Sequence, residues 1–311
     1  MDKYDKIYVA GHKGMVGSAI LRKLKKEGYH NIITRRHSEL DLTDQNSVKE
    51  FFETQSPDYV FLCAAKVGGI MANSSNKAEF FYINSMIAQN VIHQSYRSGV
   101  KKLMNLGSSC IYPKMAPQPL KEEYLLTGPL EETNDAYAIA KISAIKMCHY
   151  YNTQYGTNFL SVMPTNLYGK NDNYDLQTSH VFPAMIRKFH EGKINSDDVL
   201  LWGDGSPLRE FLISDDLADA VYYLMQNCSS AEVGEFVNIG TGKDCTLKEL
   251  AEKIAAAVGF KGKITWDPSK PNGTPRKLLD VSKINQLGWK SNITLDSGIK
   301  QTYEEYKKSL E

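Results

Sequence analysis

The chain has 311 residues, 42% hydrophobic and 23% charged, enough to bury a full core in one large domain or two intimate lobes. Lys and Arg number 37 against 36 Asp and Glu, a net charge of +1, so no global field draws the chain to nucleic acid or to an anionic membrane. Cys63, Cys110, Cys148, Cys228 and Cys245 are scattered with no CxxC spacing, which speaks against a disulfide framework or a zinc site and fits a reducing cytoplasm. The N-terminus enters a strand without a basic-then-apolar leader, and no apolar run approaches the ~20 residues that span a bilayer.

The first strand is predicted at KIYVA (6–10). It runs into AGHKGMVGSAI (10–20), where Gly11, Gly14 and Gly17 stand at GxxGxxG spacing, and Val16, Ala19, Ile20 and Leu24 then recur at helical spacing. Glycines in a strand–turn–helix allow a tight turn and close approach of backbone to a pyrophosphate, and the helix N-terminus offers free N–H groups. NIIT (31–34) is a second strand, ending in TRRHSELDL (34–42). NAD enzymes commonly place an acid there for the ribose 2′-hydroxyl. Arg35, Arg36 and His37 stand here instead, with Lys13 able to add charge from the glycine loop. Paired guanidiniums suit a 2′-phosphate, so the expected cofactor is NADP(H); a solvated basic turn is the bland alternative.

YVFLCAA (59–65) reads as a strand apolar on both faces, as one covered on both sides should be. A helix follows over about 79–97, then a strand, KKLMNLGSS (101–109), ending in a loop with Ser108 and Cys110. Another helix runs over about 135–155, followed by the strand NFLSVM (158–163). Strand–helix alternation of this kind predicts an α/β fold, a doubly wound parallel sheet of Rossmann type. On the second helix Tyr137 and Lys141 form YxxxK, one turn apart on one face. An adjacent ammonium favours the phenolate, and Ser108 supplies a further hydrogen bond to a substrate oxygen. After about Gly169 polar loops break the pattern, and one helix is marked by a capping box at Thr246–Glu249. The expected division is a nucleotide-binding domain over 1–169 and a smaller mixed α/β substrate lobe over 170–311, with the chain free to cross between them.

The glycine loop, the Ser108/Tyr137/Lys141 set and the second lobe resemble the extended short-chain dehydrogenase/reductase family. More narrowly, the chain is similar to the branch that epimerises and reduces GDP-4-keto-6-deoxy sugars. The matching segments are GHKGMVGSAI (11–20), AAKVGGI (64–70), LGSSCIYPK (106–114), YAIAKI (137–142), SVMPTNLYG (161–169), SHVFPA (179–184), LREFL (208–212) and GTPRKLLDVSK (273–283). They span nearly the whole chain.

The resemblance implies further cofactor contacts. His12, Met15 and Val16 belong to the glycine loop, and Asp41 and Leu42 follow the second strand. Ala64, Ala65 and Lys66 end the third strand, and Leu106, Gly107 and Ser109 end the fourth. Pro164, Thr165, Asn166, Leu167 and His180 complete the set. It also implies that Cys110 and His180 move protons on opposite faces of the sugar, inverting C3 and C5 beside the C4 ketone before hydride reaches C4. Lys188, Trp202, Arg209, Asn272 and Lys277 match substrate-contact positions, with Trp202 equally readable as core and Lys277 as solvated rim. Lys188 and Asn272 stand where Arg and Asp are more often expected, so the sugar stays open. A GDP-4-keto heptose, with or without epimerisation, is the alternative substrate. The family also implies a homodimer through the helices near 79–97 and 135–155. Ala136, Ala140 and Ala144 permit close approach there, although burial within one chain explains them as well. A dehydratase would carry an acid after its Ser loop, and GSSCIYPK has none; a nonenzymatic NADP sensor would lack the Tyr–Lys pair.

Overall fold

A computed structural model describes residues 1–270 and 272–311. In chain order its first half contains β1 (Ile7–Ala10), α1 (Met15–Lys26), β2 (Ile32–Ile33), α2 (Gln45–Gln55), β3 (Tyr59–Leu62), α3 (Ile70–Ser75), α4 (Lys77–Arg97), β4 (Lys102–Leu106), α5 (Asp135–Tyr155) and β5 (Phe159–Pro164). The second half adds β6 (Asn166–Tyr168), α6 (Val181–Asn195), β7 (Val199–Trp202), β8 (Leu208–Ile213), α7 (Ser214–Asn227), α8 (Ser230–Val233), β9 (Val237–Ile239) and β10 (Asp244–Thr246). It closes with α9 (Leu247–Val258), β11 (Ile264–Asp267), β12 (Arg276–Lys277), α10 (Ser282–Gln286) and α11 (Leu295–Leu310).

Six strands form one sheet in the order β2-β1-β3-β4-β5-β9, with every pairing parallel. β1, β4 and β5 are buried along their whole length, as strands covered on both faces are. Ala19, Ile20 and Leu24 of α1 pack with Leu217, Val221 and Leu224 of α7 on one face. Phe51 and Phe52 of α2, Val91 and Ile92 of α4, and Cys148 of α5 cover the other. The chain thus returns to the large sheet with α7 and β9 after its first excursion into the substrate side. The strand order reverses between β1 and β3, and a crevice opens beyond the carboxyl ends of the strands at such a point.

The remaining strands form smaller sheets. β8 pairs with β6, β10 and β12, and β7 pairs with β11. Phe182, Ile186 and Phe189 of α6 meet Leu250, Ile254 and Val258 of α9 and Ile299 and Tyr303 of α11 in a separate core. α9 starts at the expected capping box, with Thr246 and Glu249 bonded reciprocally, an arrangement worth about 1 kcal/mol.

Two buried charges join these parts. The Lys102 ammonium donates to the carbonyls of Leu224 (3.1 Å) and Met225 (2.8 Å), and to that of Cys228, closing the C-terminal end of α7. The fully buried Glu210 carboxylate accepts N–H bonds from Thr241 (2.5 Å), Gly242 (2.7 Å) and Leu279 (3.0 Å). It therefore ties β8 to the loop after β9 and to the segment after β12.

Candidate active site

The crevice at β1 and β3 is built by close backbone approach. A Cβ added at Gly11, which has φ +80°, would lie 2.8 Å from the Ala64 backbone. One at Gly17 would lie 2.2 Å from the Gly11 carbonyl oxygen, so α1 sits directly on the turn. Gly14 is exposed at the start of α1, with only that same carbonyl near, at 3.5 Å. Its open side faces the free N–H groups of the first helical turn, where a phosphate is stabilised. Met15 and Val16 begin the helix. Ala64, Ala65 and Lys66 form the opposite lip, and the Asn84 amide clamps Lys66, accepting its N–H and donating to its carbonyl, both at 3.0 Å.

The basic turn separates into unlike parts. The His12 ring carries a buried Nδ1 with no partner among the described residues. Burial, then Lys13 and Arg36, hold its imidazole below the usual value, so both cations stand beside it. Arg35 lies over the Phe51 ring, 5.5 Å from its centroid, and donates to the Thr34 carbonyl at 2.8 Å. His37 is exposed, 3.8 Å from the Asp41 carboxylate, which also holds Thr43; Leu42 is buried behind. The glycine cradle, the unpartnered His12 nitrogen and the Lys13–Arg36 pair fit a dinucleotide with a 2′-phosphate.

At the end of β4, Leu106 and Gly107 lead into Ser108, whose Oγ accepts the Cys110 N–H at 3.4 Å at the start of a short 3-10 helix, Ser109–Ile111. A Cβ on Gly107 would fall 2.0 Å from Met163, so the loop lies close on β5. Cys110 is buried. Burial pushes its thiol up, opposed chiefly by the Lys277 ammonium and also by Lys141. Burial likewise raises the half-buried Tyr137 hydroxyl, and Cys110 adds to the shift. The expected pull of Lys141 toward phenolate is absent here. Its ammonium lies 5.7 Å from the Tyr137 ring centroid and donates to the Leu106 carbonyl at 2.8 Å. Burial brings Lys141 itself down to about 8.

His180 is the N-cap of α6 and is accessible within the cleft. Desolvation by the protein packed around it and then Lys277 hold its imidazole below the ordinary value. Its loop is fixed by the Asp175 carboxylate, which accepts from Gln177 and Thr178, and by the Gly69 N–H to the Thr178 carbonyl at 3.1 Å. Thr165 and Asn166, after Pro164, both donate to the Glu210 carbonyl, at 3.3 and 2.8 Å, and Leu167 continues into β6.

On the substrate side, the β12–β8 register sets Lys277 directly beside Arg209, and burial lowers both cations. Lys277 is half-buried, so it is not a solvated rim. Trp202 is 53% exposed, with Lys270 over its ring, so it is not core. Lys188 donates to the Leu200 carbonyl (2.8 Å), and Asn272 accepts the Asp204 N–H (3.0 Å) beneath the Gly203 turn. Sequence reasoning passed over Glu210 and Gln118. The Gln118 side chain accepts the Leu278 N–H at 2.9 Å and so fixes the strand that carries Lys277. A lone Glu in a strand and a Gln in a loop carry no signal of that task.

The chain matches the NAD dependent epimerase/dehydratase family over residues 7–240. It is 58% identical over 307 residues to a putative GDP-L-fucose synthase 2 of Arabidopsis thaliana, covering 98% of this chain and 93% of the relative. It is 50% identical over 306 residues to the GDP-L-fucose synthase of Escherichia coli, covering 96% and 95%. Among solved structures it is similar to a GDP-D-glycero-L-gluco-heptose synthase from Campylobacter jejuni in the presence of NADPH, with 41% identity, 99% of each chain covered and a TM-score of 0.92.

Proposed function

The chain belongs to the NAD dependent epimerase/dehydratase family, and on that footing we propose that it acts as a GDP-L-fucose synthase. It takes a GDP-4-keto-6-deoxy sugar, inverts C3 and C5, and reduces C4 at the expense of NADPH. The observation that carries this reading is the convergence at the end of β4 of the Ser108–Cys110 loop and the Tyr137–Lys141 pair, with Lys141 bonded to the Leu106 carbonyl and Cys110 to Ser108.

NADPH, when bound, supplies the hydride for C4. The remaining work falls to side chains. The C4 ketone acidifies C3 and C5, because the carbanion delocalises as an enolate. The Cys110 sulfur takes the proton from one face: an S–H bond forms and the C–H electron pair moves into the enolate. Tyr137 and Ser108 hold the enolate oxygen, and His180 returns a proton on the opposite face. In the reduction Tyr137 gives its proton to the C4 oxygen. Burial keeps Tyr137 a neutral phenol, the form that donates. Burial favours a Cys110 thiol and a neutral His180 imidazole at rest, so before the step the Cys110 proton passes to solvent and His180 takes one up, giving the thiolate that accepts from carbon and the imidazolium that donates.

Turnover in deuterated water tests the reading. The reduced sugar should carry deuterium at C3 and C5, and Cys110→Ser should lower that incorporation about 100-fold or more. Reduction without deuterium at either carbon would leave a plain C4 reductase. That second reading draws support from the likeness to the Campylobacter heptose synthase and from Lys188 and Asn272 at the substrate side, so a GDP-4-keto heptose belongs in the same assay.

We further infer a cytoplasmic homodimer. Scattered thiols suit a reducing compartment. No described helix is long and apolar enough to cross a membrane. α4 and α5 lie side by side and leave Phe81, Tyr82 and Tyr150 exposed, an apolar face that a second copy's α4 and α5 would cover as a four-helix interface.

A further inference from the structure

Arg276 and Lys277 are adjacent cations with different fates. The Arg276 guanidinium is held by Asp244 at 2.6 and 3.3 Å. The Lys277 ammonium, on the other face of the same strand, meets no hydrogen-bond acceptor among the described residues. Its backbone is nonetheless fixed on two sides. β12 pairs with β8 so that Lys277 faces Arg209 in register. The next residues join the loop that follows Cys110: Leu120 donates to the Leu278 carbonyl at 2.7 Å, Asp280 donates to the Leu120 carbonyl at 2.8 Å, and Leu278 donates to Gln118. Glu210 receives the Leu279 N–H from below. The substrate-side strand and the catalytic loop are therefore stitched together at the residues flanking Lys277.

A half-buried ammonium with no acceptor from the protein is open to negative charge brought or formed during function. Two negative charges are on offer, the sugar's diphosphate and the Cys110 sulfur. The surroundings favour the sulfur. Leu279, two residues beyond Lys277, packs in one buried cluster with Ile111, the residue after Cys110, and with Tyr112 and Leu120, so the strand that bears Lys277 lies against the Cys110 loop; the Lys277 ammonium accordingly opposes the effect of burial on the thiol. The charged and titratable groups around Cys110 are Lys277 on β12, Lys141 and Tyr137 on α5, and His180 across the cleft at the head of α6, with Arg209 behind Lys277 on β8.

We propose that Lys277 is a positioning residue for proton transfer, its unpaired ammonium placed to hold negative charge on the Cys110 sulfur while that sulfur removes the sugar's proton. The same charge destabilises the His180 imidazolium and so makes it the more willing donor on the other face. This rests on the reading of Cys110 as the base, but its test needs no sugar. In the NADP⁺-loaded protein, the rate of Cys110 alkylation by iodoacetamide is followed against pH by mass spectrometry of the Cys110 peptide. Lys277→Met should move the thiol's titration upward by about one pH unit and slow alkylation about tenfold near neutrality. Lys277→Arg should keep the wild-type profile, and Lys277→Gln should shift it as Met does, which guards against a packing effect of Met. With GDP-4-keto-6-deoxymannose, the rising limb of deuterium exchange should move by the same amount while KM changes only a few-fold. An unmoved alkylation profile in Lys277→Met and Lys277→Gln, with KM raised tenfold or more, would make Lys277 a diphosphate contact and overturn the proposal. Absence of deuterium exchange in the wild type would instead strike the epimerase reading, whatever the alkylation showed.

Discussion

Gly14 and Gly17 are glycines for different reasons, and substitution separates them. Alanine at Gly17 would drive its Cβ to 2.2 Å from the Gly11 carbonyl, backbone against backbone, with no flexible end to yield. Gly17→Ala should cost about 3 kcal/mol or more, read from the urea midpoint. Gly14 has φ −71° and room for a Cβ, so Gly14→Ala should leave that midpoint unchanged. Its methyl would stand where a phosphate approaches, and fluorescence titration should show NADPH binding weakened about tenfold. A stability loss at Gly14 equal to that at Gly17 would show that both serve packing alone. The motif residues were legible because their spacing reports backbone geometry directly. The direction of a side chain was not. Arg35 and Arg36 read alike in the sequence, yet one lies on Phe51 and the other stands beside Lys13 and His12.

Periodicity located the elements well where they are long. The helices expected over about 79–97 and 135–155 are α4, Lys77–Arg97, and α5, Asp135–Tyr155. Short elements drifted: the second strand keeps only Ile32–Ile33, and the fourth ends at Leu106 because the chain turns into a 3-10 helix at Ser109. Lys102 shows why composition misleads inside a strand. A lysine beginning a strand reads as solvated, but its stem crosses to the end of α7, where its ammonium bonds the carbonyls of Leu224, Met225 and Cys228, the first of which also accepts the Cys228 N–H. Lys102→Met would keep the apolar stem and remove the donor. It should lower stability by about 2–3 kcal/mol in urea denaturation. A change below about 0.5 kcal/mol would mean that water replaces the ammonium there.

At the scale of the whole molecule, the parallel sheet followed from strand–helix alternation, but the destination of each later element did not. α7 carries an amphipathic pattern that suits either lobe, and only its packing against α1 decides the matter. The outer face of α4 and α5 is likewise silent in sequence, since exposed tyrosines also occur on monomers. Sedimentation should give twice the 35.0 kDa chain mass, and Tyr82→Asp with Tyr150→Asp should shift it to one chain without loss of helical signal. A wild-type monomer at tens of micromolar would remove the four-helix interface.

The Glu210 carboxylate has a mechanical consequence. Its oxygens bind N–H groups of the loop that follows β9 and of the segment that follows β12, and a Cβ at Gly240 would lie 2.3 Å from one of them. Opening a hinge across that weld would break the bonds from Thr241, Gly242 and Leu279 to one buried side chain. The two sheets are therefore fastened to one another at this side chain. With Leu120 and Leu278, and Asp280 and Leu120, bonded close by, the strand that bears Lys277 and the loop after Cys110 are braced by the protein's own backbone.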